Sequence, residues 1–193
     1  MLYTSLHSNQ HMALNATIFK IDLTITDMDR GYYATHALVL ARHPSETDER
    51  MMVRLLAFAL NASAALVFGK GLSNEDEAAL WQKDLTGIIE LWIDVGLPDE
   101  KMVRKACGRA NQVRIYTYGR GAERWWESMR SALARPDNLS VIDLPQATTQ
   151  EMAALAQRNM QLQCTIQDDT VWLTDGTRTV EIVPVMLSAA RKP

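Results

Sequence analysis

Between positions 88 and 143, three apolar runs alternate with two amphipathic stretches, and this alternation limits the fold more than any other feature of the chain. The runs are 88–95, 113–118 and 139–143. The stretches between them, 99–109 and 121–133, carry apolar residues at helical spacing, and Pro98-Asp99 opens the first. A helix that links two strands of one sheet returns the chain parallel to where it started. The segment therefore predicts a locally parallel, mixed sheet with helical cover.

On either side the periodicity changes. Residues 17–26 alternate apolar and polar with many β-branched side chains, Asp27-Met28-Asp29-Arg30-Gly31 reads as a turn, and 32–41 pairs back, giving an N-terminal hairpin. Pro44, with Ser45 and Asp48 as a capping box, predicts a helix over 45–62 whose apolar stripe includes Met52, Val53, Leu56, Ala59 and Leu60. A short strand at 66–68 and a turn-rich acidic loop over 71–84 follow. After the parallel segment, Thr148 and Glu151 form a second capping box for a helix over 148–158. Runs at 160–167, 170–173 and 179–185 then read as a C-terminal β-meander, and 188–193 as a frayed end. Residues 1–12 are polar and patternless and are set outside the fold as a disordered or non-native extension. Residues 13–187 form a single α/β (α+β) domain.

At 193 residues and 47% hydrophobic content the chain is long enough for one substantial core. No run approaches the roughly 20 apolar residues that cross a bilayer, so no membrane association is expected. Cys107 and Cys164 sit in no CxxC or Cys/His cluster, which argues against thiolate metal sites and fits a reducing, cytoplasmic location. The net charge of −3 speaks against a generic nucleic-acid binder, but its distribution is uneven. Residues 101–135 hold nine Lys or Arg against two Glu, while the rest of the chain holds 11 basic and 21 acidic residues.

Three groups of residues can carry chemistry. The first is acidic: Glu49 (with Glu46 one turn earlier), Asp76 or Glu77, and Glu90 or Asp94, drawn from a helix, a loop and the next strand. Hard cations such as Mg²⁺ take oxygen ligands, and a metal held this way serves phosphodiester cleavage. These acids can equally be solvated, or paired with the cations of 101–124. Glu49 favours a site, because an acid on an apolar helix stripe needs a partner when buried. The second group is the Lys101/Lys105 pair, one turn apart and suited to stabilising a phosphate or a developing charge. The third is Tyr116 and Tyr118, with Trp125 and Trp126, among Arg104, Arg114, Arg120 and Arg124, a mixture that suits base stacking and backbone contacts in a nucleic acid.

The runs ARHPSETDERMM and WIDVGLPDE, with ALNATIFKIDLTITDMDR before them and LQCTIQDDTVWLTDG near the C-terminus, resemble the bacterial YaeQ family over residues 12 to about 186. The resemblance implies a variant of the restriction-endonuclease-like, PD-(D/E)xK fold: a mixed sheet flanked by helices. It also implies roles. Glu49 matches the helix acid, Asp76 (or Glu77) the second acid, and Asp94 (or Glu90) the strand acid. Asp94, at the strand end, is the better match. The chain departs from the pattern where a lysine belongs two residues after the strand acid, since Trp92 follows Glu90 and Gly96 follows Asp94. Lys105, or Lys101, on the next helix is the candidate replacement. The implied activity is a Mg²⁺-dependent nuclease or nucleic-acid-processing protein. The alternative is a non-catalytic module on the same fold that engages nucleic acid or a protein such as the transcription machinery.

Overall fold

The computed structural model describes residues 16–69 and 77–191. The segment 1–12 and Asp76 lie outside the described residues. Fifteen elements follow in order: β1 Thr17–Asp27, β2 Tyr32–Arg42, α1 Asp48–Asn61, β3 Leu66–Phe68, β4 Leu80–Lys83, β5 Ile89–Val95, α2 Glu100–Cys107, β6 Ala110–Tyr118, α3 Ala122–Leu133, β7 Leu139–Leu144, α4 Gln146–Ala153, β8 Asn159–Gln167, β9 Thr170–Thr174, β10 Thr179–Ile182 and β11 Val185–Ser188. They form two mixed sheets and four helices. The first sheet runs β10-β9-β8-β1-β2, the second β11-β7-β6-β5-β4-β3.

The expected parallel segment is present: β5 pairs parallel with β6, and β6 with β7. One face of this sheet is covered by α2 and α3 through Val103, Ala106 and Leu133, packed with Trp92, Val113, Ile115 and Val141. The other face, through Leu91, Ile93, Val95 and Tyr116, shares a core with α1 and with the inward face of the first sheet, Phe19, Ile21, Leu23 and Ile25. Helix α1 lies between the sheets. It reaches β2 through a hydrogen bond from Arg54 Nη2 to the Ala41 carbonyl and an edge-to-face contact of Phe58 with His36. It reaches β6 through Asn61, whose Nδ2 donates to the Tyr116 hydroxyl at 2.8 Å. Its apolar surface is accordingly wider than one stripe. Met51, Met52, Val53, Leu55, Leu56, Ala57, Phe58 and Ala59 are all buried.

Several expectations are corrected. α1 starts at Asp48, capped by Thr47, whose Oγ1 accepts from the Arg50 N–H; Ser45 instead pairs with His43 Nδ1. The acidic loop contains a strand, β4, which aligns antiparallel with β5. α4 starts directly after Pro145, and Thr148 lies inside it, its hydroxyl donating to the Pro145 carbonyl. The meander is no appendage: β8 pairs parallel with β1, so the N- and C-terminal β segments form one sheet. The run at 179–185 is divided around Val183-Pro184, β10 staying in the first sheet and β11 crossing to pair with β7 in the second. Proline cannot donate to a ladder, which suits a crossing point. The tail is tied down to Arg191, whose Nη2 donates to the Ala134 and Arg135 carbonyls at the end of α3.

Truncating a side chain at the centre of this arrangement leaves a cavity that neither sheet can close. Leu56→Ala is expected to lower stability by about 2–5 kcal/mol in urea denaturation. Leu85→Ala, at a fully exposed position, is expected to stay within about 0.5 kcal/mol.

Candidate functional site

The N-terminus of α1, the start of β4 and the C-terminal ends of β5 and β6 meet at one end of the fold. Glu46, just before the helix cap, is buried, and its carboxylate is enclosed by cations. Arg50 Nη1 lies 2.7 Å and Arg54 Nε 2.8 Å from Oε1, and Arg54 Nη2 donates to Oε2 at 2.9 Å. Arg50 and Arg54 lie one turn apart on one face of α1, and Glu46, in the segment that leads into the cap, folds back onto that face. Burial lowers the Arg54 pKa from its ordinary value, and the Glu46 carboxylate opposes that shift. Glu49, in the first turn of α1, is half-buried, and its Oε1 accepts from Thr149 Oγ1 of α4 at 2.6 Å.

Asp94 ends β5 half-buried. Its Oδ2 accepts from Trp92 Nε1 at 2.7 Å and its Oδ1 from the Ala79 N–H at 3.1 Å. Burial raises its pKa above the usual carboxylate value, while these two hydrogen bonds and the nearby Arg50 charge pull the other way. Tyr118, at the end of β6, completes the group: burial raises its phenol pKa, and Arg50, Glu49 and Glu46 all act on it. Arg50 is thus the cation common to Glu46, Asp94 and Tyr118. Sequence reading passed over it, although the Glu46/Arg50/Arg54 spacing was the available signal.

The other expected residues are placed as follows. Glu90 sits toward the opposite end of β5, where Oε2 accepts from Asn111 Nδ2 at 3.0 Å; four strand residues, about 13 Å, separate it from Asp94. Glu77 is half-buried at the start of the segment whose Ala79 N–H meets Asp94, and it has a partner of its own. Lys101 and Lys105 are exposed on α2. Arg104 is exposed and paired with Glu100, and Arg120 and Arg124 are exposed around the start of α3. Tyr116 does not belong to that surface. It is buried against Asn61, with its hydroxyl's pKa raised by burial, and Arg114 donates to Asn61 Oδ1 from the same interior face. Strand alternation turns both toward α1, away from the helix-covered face. Trp125 and Trp126 are half-buried against α2 and the sheet, and Trp125 Nε1 donates to the Pro98 carbonyl. Burial pushes the thiols up, Cys107 to about 11 and Cys164 to about 12, which leaves them as small apolar fillers.

The donor set can be tested against a metal. Both Glu46 oxygens are held by arginines, both Asp94 oxygens accept hydrogen bonds, and one Glu49 oxygen is taken by Thr149. Among the described residues no group of three or more His, Cys, Asp or Glu could hold a metal ion. These residues by themselves therefore do not fit a Mg²⁺ site.

Two outcomes follow from the geometry. Arg54→Met removes the fully buried one of the two arginines that hold the Glu46 carboxylate and is expected to cost about 3 kcal/mol in chemical denaturation, with part recovered in the Glu46→Gln/Arg54→Met double variant. Asp94 has a folded pKa above its ordinary 3.8, so the native state holds the extra proton, and stability falls as pH rises from that value through the folded pKa. The stability of Asp94→Asn relative to the unaltered chain is expected to shift in the variant's favour over that rise, read by urea melts at stepped pH.

Among the described residues no helix is long and apolar enough to cross a membrane. The model of the YaeQ protein family matches residues 12–184. The Escherichia coli (strain K12) relative, "Uncharacterized protein YaeQ", is 44% identical over 172 residues, covering 89% of this chain and 95% of its own. The Salmonella typhi relative of the same name is 44% identical over 183 residues, covering 94% and 99%. The crystal structure of the YaeQ protein from Xanthomonas axonopodis pv. citri superposes with a TM-score of 0.88 at 50% identity, covering 90% of this chain and 99% of that one. The one from Pseudomonas syringae superposes at 0.87 and 35%, covering 91% and 98%. A match that spans nearly the whole chain, in sequence and in fold, makes this chain a member of the YaeQ family.

Proposed function

We propose that this YaeQ-family chain is a nucleic-acid-processing protein on a variant of the restriction-endonuclease-like, PD-(D/E)xK scaffold. The observation that carries this reading is that Arg50 of α1 acts electrostatically on both Asp94, near the end of β5, and Tyr118, at the end of β6, with Glu49 acting on the same Tyr118 and the segment before β4 bonded to Asp94. The order α1, β3, β4, β5, α2, β6 is the order that scaffold requires, and it supports the placement. Asp76 and Glu77 lie on the stretch that leads into Ala79, where the second acid belongs. In this reading Arg50 supplies positive charge beside Asp94, and Lys105 is the further candidate. The exposed Lys101, Arg104, Lys105, Arg120 and Arg124 of the helical layer form the surface for the phosphate backbone. No step is routed through Mg²⁺, because the described acids do not by themselves form its site.

A second reading has its own observation. The hydrogen-bonded state of Asp94 and Glu46 is what a scaffold retained for binding would show, with nucleic acid or a protein of the transcription machinery as partner.

One set of measurements separates the two. The purified chain is titrated with Mg²⁺ and Mn²⁺ by calorimetry and incubated with single-stranded DNA, duplex DNA and RNA, with and without chelator. Cleavage that needs metal and is lost in Glu49→Gln and Asp94→Asn supports processing. Binding that survives chelator and Asp94→Asn, without cleavage, supports the binding module. In either case Arg120→Glu and Arg124→Glu are expected to weaken binding uniformly across sequences, each lowering the salt slope by about 1 per lost phosphate contact. A chain that neither binds nor cuts any of these nucleic acids sinks both readings.

A further inference from the structure

The two sheets end in four edge strands, and three of them are blunted. β3 has 3 residues, β10 has 4, and β11 has 4 with an irregular register between Met186 and Ser188. β2 differs. Its 11 residues pair with β1 one for one from Tyr32 to Arg42 without a bulge, and among the described residues its other side is a sheet edge. From Tyr32 to Ala41 it contains no Asp, Glu, Lys, Arg or Pro. Lysines, prolines, bulges and short strands are the devices by which proteins stop an edge from pairing with another chain, and β2 uses none of them. Its outward side chains are partly apolar: Tyr33 is 64% and Val39 66% exposed, with Ile18 beside them on β1 at 44%.

We infer that β2 is a homodimer interface, at which the β2 strands of two copies pair antiparallel about a two-fold axis and join their five-stranded sheets into one of ten. Two-fold pairing places residue i of one copy opposite residue j of the other with a constant sum. Pairing all 11 residues sets the axis at Ala37. Since a one-residue slip would set outward side chains against inward ones, face matching requires the axis to pass through a residue, and Ala37 satisfies this. On the outward face Tyr33 then meets Ala41 of the second copy, Thr35 meets Val39, and Ala37 meets itself. Large side chains lie opposite small ones, with Ile18 flanking Ala41 (its partner in the β1–β2 register) to widen the seat for Tyr33. No two like charges are brought opposite each other, because Arg42 falls opposite Tyr32 and already pairs with Asp48 of its own chain. β2 itself carries no charge near the axis, and Asp22, beside Ala37 on β1, lies three strand spacings, about 14 Å, from its counterpart in the second copy; this and the large-to-small complementarity favour a second copy over an unrelated strand. The assignment is independent of the activity proposed above.

The test is analytical ultracentrifugation of the full chain, with site-directed crosslinking. The expected mass is twice the 21.7 kDa of one chain. Ala37→Cys places two thiols at Cα positions about 4.5–5.5 Å apart, within the roughly 4.4–6.8 Å that a disulfide spans, so mild oxidation should give a covalent dimer. Thr35→Cys should not crosslink, its two copies lying about 13 Å apart along the strands. Ala37→Lys puts two ammonium groups at the axis and should give a monomer with an unchanged circular-dichroism melt, because Ala37 is exposed. A dimer that persists in Ala37→Lys, or crosslinks equally through Thr35→Cys, overturns the proposal. So does a monomeric chain. Slow hydrogen exchange at β2 in that monomer would mean another segment of the same chain covers the edge, and fast exchange that the edge awaits a different protein.

Discussion

Eight apolar side chains on consecutive turns of α1, Met51 to Ala59 apart from Arg54, are buried, and both sheets pack around them. α1 lies between the two sheets, so its apolar surface faces protein on all sides, and its end groups are met by side chains from several parts of the chain. Each end is served by a different part of the chain. At the start, Thr47 caps a backbone N–H, and Glu46 is locked by two arginines one and two turns on. At the finish, Arg30 of the β1–β2 turn, oriented by the buried Asp27, donates to the Ala59 and Ala62 carbonyls. Asn61 holds the last turn to β6 through Tyr116 and Arg114. The hairpin turn, the helix and the second sheet are thereby coupled by polar contacts as well as by packing.

The same constraint creates the candidate site. An N-terminal helix end concentrates positive potential from its unpaired amides, and the parallel strands β5 and β6 deliver their C-terminal ends to it. Arg50 of the helix therefore comes to act on Asp94 of the strand without being adjacent to it in sequence. Their chemistry is set by what else reaches them. Trp92 matters most here: its Nε1 donates to Asp94 and orients it. That tryptophan is a fixed donor anchored in the α2–α3 core. Positive charge at Asp94 comes from α1, as Arg50.

Much of the fold was legible because its signals are local. Period-2 alternation marked β1, β2, β5 and β8 to within a residue or two, and the turn at Asp27–Gly31 and the cap at Asp99 are set by side chains that bond their own neighbouring backbone. β4 was missed, because four residues, Leu-Trp-Gln-Lys, are too few to show a period; pairing with β5 is what makes them a strand. The start of α1 was misplaced because two caps, Ser45 and Thr47, competed; that of α4 because Thr148 reads as a cap, whereas the helix begins at Gln146 after Pro145 with no side-chain cap. At the site, Glu49 and Asp94 were legible as acids on an apolar helix stripe and at a strand end. Arg50 was not singled out, because its meaning depends on Asp94 lying nearby. Tyr116 and Arg114 looked like surface residues among cations, yet alternation on β6 turns them inward to Asn61.

The identity of most elements, the parallel order of β5, β6 and β7, and the separation of a cation-rich α2–α3 segment from an acidic remainder can be read along the chain. Each follows from periodicity, capping and charge, which act over a few residues. Packing of the whole chain fixed that the first and last β segments form one sheet, since the parallel match of β1 with β8 joins residues more than a hundred positions apart and leaves no local trace. It also decided that α1 is enclosed by both sheets, and that Asp94 sits beside Arg50 with its oxygens already held. Those facts depend on which surfaces exclude water together, a property of the packed chain that no single window of sequence contains.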